Sequence, residues 1–178
     1  MGKSIYLVRH CKAEGQSKEA KLTEEGMNQA QVLVDFFSEF TIDRIITSPF
    51  TRAIESTLPL SKARNIPIET DNRLSERILS TENLVDWQEK LAKSFDDLDI
   101  FYHGGESSRT AMNRGMEVVD ELINEKEENI LITTHGNLMS LLIKEFQPGF
   151  GFNDWKKLSN PDVYLLEPET SSVKRLWK

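Results

Sequence analysis

Short, mainly apolar runs alternate along this chain with longer stretches in which apolar residues recur every three or four positions. Residues 4–8, with Ile5, Tyr6, Leu7 and Val8, and residues 130–134, with Ile130, Leu131 and Ile132, read as buried strands, as do residues 44–47 and 66–69. Between them, Gly26, Ala30, Leu33, Val34, Phe37 and Phe40 share one face of a helix predicted over 24–40, with Thr23 as its N-cap. A second helix is expected over 50–64, with Ser48 as its cap and Pro49 at its first position, and Pro59 predicts a kink or a division. Residues 81–95 predict a polar surface helix carrying Leu84, Trp87 and Leu91. Met112, Met116, Val119 and Ile123 mark a further helix, and Leu138, Leu141, Leu142 and Phe146 another that starts after Gly136. Residues 163–166 and 173–177, separated by Pro168, Glu169, Thr170 and Ser171, predict a closing hairpin at a sheet edge. The alternation is the βαβ rhythm of a sheet covered on both faces, with no repeat or interdomain linker.

With 178 residues, of which 38% are apolar, the chain is expected to form one soluble domain with a sizeable core. The apolar start is too short for a signal peptide or a spanning helix, so no membrane partner is expected. Cys11, the lone cysteine, cannot close an intrachain disulfide, which points to a reducing, cytoplasmic compartment. The 22 basic residues against 29 acidic ones leave a net charge of −7, and no basic stripe with interleaved aromatics occurs, so nucleic acid is not an expected partner. Nothing in the sequence sets an oligomeric state.

Two of the three histidines stand directly behind strand-like runs: Arg9-His10 after the first and His135-Gly136 after residues 130–134. A parallel sheet gathers its strand ends along one edge, so these residues can meet in space. An imidazole can attack phosphorus and a guanidinium can hold phosphoryl oxygens in a planar fork, which makes this pairing a phosphate-handling candidate. Arg52 lies in the opening turns of the second helix, where free amides and the helix dipole favour phosphate, and becomes a candidate for the same clamp as Arg9. Glu76, in Arg73-Leu74-Ser75-Glu76-Arg77, is the candidate acid for a leaving alkoxide. His103 reads as a loop histidine, and Ser107 and Ser108 as helix caps or phosphate ligands.

Taken together, Leu7-Val8-Arg9-His10, Leu22-Thr23-Glu24-Glu25-Gly26 with Gln29-Ala30, Ser48-Pro49 through Arg52-Ala53 and Thr57, Arg73 to Arg77, Gly105-Glu106-Ser107 and Thr134-His135-Gly136 resemble the histidine phosphatase superfamily, which includes the phosphoglycerate mutases. The resemblance covers nearly the whole chain and is strongest to the small phosphatase branch. It implies an α/β fold, a three-layer α/β/α sandwich on a mostly parallel sheet, built as one domain over 1–178 with a short lid-like excursion around 77–103. It also implies His10 as the nucleophile that becomes phosphohistidine, Arg9, Arg52 and His135 around the phosphoryl oxygens, Glu76 as proton donor, and no metal or other cofactor. Cys11 stands where Gly is most common, and the Trp-Asn usual in the following loop is missing, which leaves Gln16 or Ser17 to replace one phosphate contact. A cysteine-phosphatase reading of His10-Cys11 would need Arg six positions after the cysteine, where Ser17 stands.

The expected activity is therefore a metal-independent phosphatase that hydrolyses small phosphate monoesters. A mutase of the same superfamily and a catalytically idle phospholigand-binding protein are the alternatives. Only about 27 residues lie between Glu76 and Gly104, a short lid that favours hydrolysis over holding the phosphoenzyme away from water. Trp87, Phe95, Phe101 and Tyr102 are candidates either for an aromatic wall over the pocket or for a minor core beneath the lid.

Overall fold

The computed structural model describes residues 2–178. Six strands, β1 (Ser4–Arg9), β2 (Arg44–Thr47), β3 (Ile68–Thr70), β4 (Asn129–Thr134), β5 (Asp162–Glu167) and β6 (Ser172–Arg175), form one sheet in the order β3-β2-β4-β1-β5-β6. The first four run parallel, while β5 is antiparallel to both β1 and β6. The helices are α1 (Glu24–Phe36), α2 (Thr51–Arg64), α3 (Trp87–Asp96), α4 (Ser108–Ile123), α5 (Gly136–Phe146) and α6 (Phe152–Lys156).

Period-two alternation splits β1, β2, β4 and β5 between two cores. Ile5, Leu7, Ile130 and Ile132 pack with Met112, Val119, Leu138 and Leu142 of α4 and α5. Tyr6, Val8, Ile45 and Leu131 pack on the opposite face with Ala30, Leu33 and Leu60 of α1 and α2. These are the three layers expected from the resemblance. Register then places the site: Arg9 lies opposite Thr134 in the β1–β4 ladder, so His10 and His135 leave adjacent strand tips, and the His10 N–H donates to Thr134 O at 3.1 Å.

Thr23 caps α1 as expected, its hydroxyl accepting from the Gly26 N–H at 2.9 Å. Gly26 brings the helix close against the loop after β1, since a Cβ there would lie 2.0 Å from Lys12 O. The helix ends at Phe36, earlier than predicted, and passes into a 3₁₀ turn over Phe37–Glu39. In α2 the expected cap is displaced. Phe50 is the N-cap residue, and the Ser48 hydroxyl accepts from Phe50 N within a turn rather than from the third helical amide. Pro59 does not divide α2; the buried faces of Ala53, Ser56, Thr57 and Leu60 hold the helix together across the one missing N–H.

The helix expected over 81–95 begins only at Trp87. Thr81 N and the Ser80 hydroxyl both donate to His103 O, which ties the first part of the excursion to the 102–105 turn and leaves it irregular. The short α6 has no counterpart in the predicted elements, being too brief for a periodic signal. Ser107 and Ser108 serve structure: Ser107 caps α4 through Thr110 N, and Ser108 donates to Ser94 O.

Candidate active site

His10 is 8% exposed. Its Nδ1 lies 2.7 Å from Cys11 O, an acceptor that fixes the proton on Nδ1 and leaves a lone pair on Nε2. Burial, opposed by that carbonyl and reinforced by Arg52 and Arg9, pushes the imidazole pKa down to about 4, so the ring is neutral at ordinary pH. Its backbone is held as well: His10 O accepts from the Asn160 side-chain amide at 2.9 Å. Cys11 is fully buried, with its thiol pushed up to about 11 by burial, so it presents no thiolate nucleophile.

Arg52 is 1% exposed and turns inward from the first turn of α2. Its Nε donates to His10 Nε2 at 3.3 Å, and Nη1 to Ser17 O at 2.8 Å and Gln16 O at 3.3 Å. The Phe50 ring lies under the guanidinium, 5.0 Å away. Gln16 and Ser17 thus contribute their carbonyls to holding Arg52, and both side chains are exposed, with Gln16 facing the cavity described below. The Thr51 amide at the start of α2 is occupied by Lys18 O, so α2 offers its arginine rather than this amide. Arg9 is anchored by Nη1 on Leu158 O and Ser159 O, leaving Nε buried without a partner. Its guanidinium lies against Gly136, where a Cβ would come 2.9 Å from Nε.

His135 is fully buried, edge-on to His10 with ring centroids 5.2 Å apart. Its Nε2 lies 2.8 Å from the Ser48 hydroxyl. That oxygen accepts from Phe50 N and can turn its hydrogen to His135 Nε2; in that tautomer the His135 proton sits on Nδ1, which has no partner among the described residues. Burial and the charges of Arg52 and Arg9 hold this imidazole well below the usual histidine range. Ser48 was expected as a helix cap; its work on His135 depends on β2 and β4 lying side by side, which no local pattern reveals.

Glu76 reaches the site because Thr134 Oγ1 grips Leu74 O at 2.7 Å, tying the loop after β3 to the tip of β4. The carboxylate accepts from Asn137 N at 3.0 Å and Leu138 N at 2.9 Å, at the positive end of α5, and from Arg77 N at 2.8 Å. Glu76 lines two depressions. One, of about 360 Å³, is bounded by Arg9, Gln16, Glu76, Arg77, Trp87 and Trp155 among others. The other, of about 280 Å³, is bounded by Lys18, Phe50, Ser75, Glu106 and Arg114 among others.

Of the four aromatics read as a pocket wall or a minor core beneath the lid, Trp87 lines the larger cavity. Phe95 is core, Phe101 is 71% exposed, and the Tyr102 ring lies beneath Lys90. Trp155, from the unforeseen α6, completes the wall in an edge-to-face pair with Trp87 at 6.2 Å. The support that Asn160 gives His10 and the close approach of Gly136 to Arg9 have no local sequence signal, although Gly136 directly follows His135. His103 is exposed and lines neither depression.

Among known proteins, the histidine phosphatase superfamily (branch 1) matches residues 5–175. The chain is 27% identical over 158 residues to the 6-phosphofructo-2-kinase/fructose-2,6-bisphosphatase of Caenorhabditis elegans, covering 81% of this chain but 34% of that protein. It is 24% identical over 171 residues to a probable phosphatase of Schizosaccharomyces pombe, covering 88% of this chain and 79% of that one. This chain therefore spans about a third of the worm relative and most of the yeast one. Among solved structures, mycobacterial glucosyl-3-phosphoglycerate phosphatase in complex with VO3 superposes with a TM-score of 0.80 at 21% identity, covering 98% of each chain. At that identity the likeness is one of fold.

Proposed function

We propose that this chain, which belongs to branch 1 of the histidine phosphatase superfamily, hydrolyses small phosphate monoesters through a phosphohistidine on His10. The observation that carries the reading is the state of His10: its Nδ1 proton is committed to Cys11 O, and its Nε2 lone pair accepts from the Arg52 Nε–H at 3.3 Å, a donor that turns to a phosphoryl oxygen when substrate enters and so frees Nε2 to attack. In the first step Nε2 forms a P–N bond as the P–O bond to the alcohol breaks. Arg9, Arg52 and His135 Nδ1–H donate to the phosphoryl oxygens, and Glu76 gives its proton to the leaving oxygen. In the second step Glu76, now a carboxylate, takes a proton from water as that oxygen forms the new P–O bond, and the P–N electron pair returns to His10. Gln16, on the cavity wall, is the candidate for the additional phosphate contact. Residues 77–103 form the lid of this single-domain enzyme, and its short span supports hydrolysis rather than mutase action. The test is a panel of phosphate esters with chelator present, in which metal-independent phosphate release is expected; release only after metal addition, or none at all, sinks the reading.

Glu76→Gln is expected to slow alkyl phosphates far more than nitrophenyl phosphate, because an alkoxide needs a proton and a nitrophenolate does not. Single-turnover phosphorylation of the enzyme separates this from slow dephosphorylation, and equal losses on both substrates in that half-reaction would remove Glu76 as donor. The amide would also set an NH₂ against one of the backbone N–H donors that the carboxylate now satisfies. A loss of about 1–3 kcal/mol in stability should accompany the kinetic effect in a denaturant melt.

Gly136→Ala tests the seating of Arg9. The added methyl meets the mobile end of the Arg9 side chain, so the fold should hold while the guanidinium is displaced. Turnover should fall roughly ten- to hundred-fold, the scale of an ångström-sized misplacement. Wild-type kinetics in this variant would show that Arg9 can work from another position.

A further inference from the structure

Arg77 is 4% exposed and lines the larger cavity together with Arg9, Glu76, Trp87 and Trp155, yet its charge has no ion-pair partner among the described residues. Nε donates to the backbone carbonyl of Glu106 at 3.1 Å and Nη1 to the Ser94 hydroxyl at 2.8 Å, while Nη2 is buried with no partner. The nearby Glu106 carboxylate is spent on Arg114 at 2.5 Å. A buried cation left this way is disfavoured by lost hydration unless an anion joins it. The surroundings repeat the pattern: of the six buried side-chain polar atoms without partners among the described residues, four belong to Arg9, Arg77, His135 and Asn137.

A charge count specifies what is missing. Arg9, Arg52 and Arg77 are the three guanidiniums here without a carboxylate partner among the described residues, Arg114 being paired with Glu106 and Lys18 standing exposed beside the second depression, and the two imidazoles are neutral. A phosphoryl dianion cancels two. When Glu76 carries the proton that the leaving oxygen needs, one positive charge is left over, and Arg77 is the guanidinium among the three with no part in holding His10 or the phosphoryl group. We propose that Arg77 forms a leaving-group subsite for a single negative charge, so that the preferred substrates are phosphate monoesters of alcohols carrying a carboxylate, with their apolar part along Trp87, Trp155 and Leu91. This rests on the phosphatase reading above. Arg77 would act on specificity, through binding of the alcohol portion, and not on the phosphoryl group.

The test compares carboxybenzyl phosphate with carbamoylbenzyl phosphate, a neutral ester of nearly the same shape, and with a benzyl phosphate bearing a second phosphate. The wild type is expected to favour the carboxylate over the amide about ten- to hundred-fold in kcat/KM, the worth of one charge-assisted hydrogen bond. In Arg77→Met the ratio should collapse toward one, whatever the change in melting temperature from losing the Ser94 and Glu106 contacts. No preference in the wild type overturns the proposal without reference to any variant, and so does a preference that survives in Arg77→Met. A stronger preference for the second phosphate overturns the single-charge assignment. If Arg77→Met does not fold, the wild-type ratios and competitive inhibition by carboxybenzyl alcohol, absent for the carbamoyl alcohol, decide the matter. Failure of all three esters, and of the wider panel, would instead be failure of the phosphatase reading.

Discussion

Replacing His10 by alanine is expected to reduce ester hydrolysis by a factor on the order of 10⁴ or more while the protein remains folded. The imidazole sits beyond the end of β1 and contributes to neither apolar core, so its removal subtracts the attacking atom and little packing. Brief reaction of the wild type with labelled substrate, quenched in alkaline denaturant where a P–N bond survives, should leave label on His10; the variant should take up none. Acid sensitivity offers a second readout. His10 titrates near 6.5 when unfolded and at about 4 when folded, so between those values the unfolded chain holds a proton that the native state lacks. Stability contributed by the neutral ring is complete above about pH 6.5 and is lost as pH falls toward 4, by on the order of 3 kcal/mol, and the variant should lack this component. Turnover of the wild type should fail over the same acid range as Nε2 becomes protonated. Normal hydrolysis by His10→Ala would end the phosphohistidine mechanism.

The second large effect is expected for Arg52→Lys, a change that keeps the charge. The guanidinium, 1% exposed, meets His10 with one nitrogen and the carbonyls of Gln16 and Ser17 with another, above the Phe50 ring. A lysine ammonium is a single point and cannot bind the loop carbonyls and face the phosphoryl oxygens from the same side chain. A loss of roughly 10²-fold is expected, carried mainly by kcat, because the planar fork orients the phosphoryl group for in-line attack by His10. Near-wild-type kinetics would place Arg52 outside the phosphoryl site, and a loss confined to KM would make it a ground-state binder only.

The strands β1 and β4, the apolar stripe of α1 and its Thr23 cap, and the placing of His10 and His135 at strand ends were all readable in the order of residues. Each depends on contacts within a few positions: alternation, a 3.6-residue stripe, or a hydroxyl three residues ahead of the amide it caps. Residue chemistry likewise marked Arg9, Arg52 and Glu76 before any coordinates, because phosphoryl transfer has few ways to supply a nucleophile, a clamp and an acid.

Tertiary structure decided what surrounds them. Pairing of β4 with β2 turned Ser48 from a presumed helix cap into the partner of His135, and the return of the chain after α6 brought Asn160 under His10 and Trp155 opposite Trp87. Irregular backbone over 81–86, the continuity of α2 through Pro59 and the unpaired charge of Arg77 are of the same kind. Local sequence determined which groups this protein has and which strand or helix end carries each. Their partners, protonation and shared cavity come from residues up to 150 positions apart, as with Asn160 and His10, and are set only when register and layer packing bring those residues together.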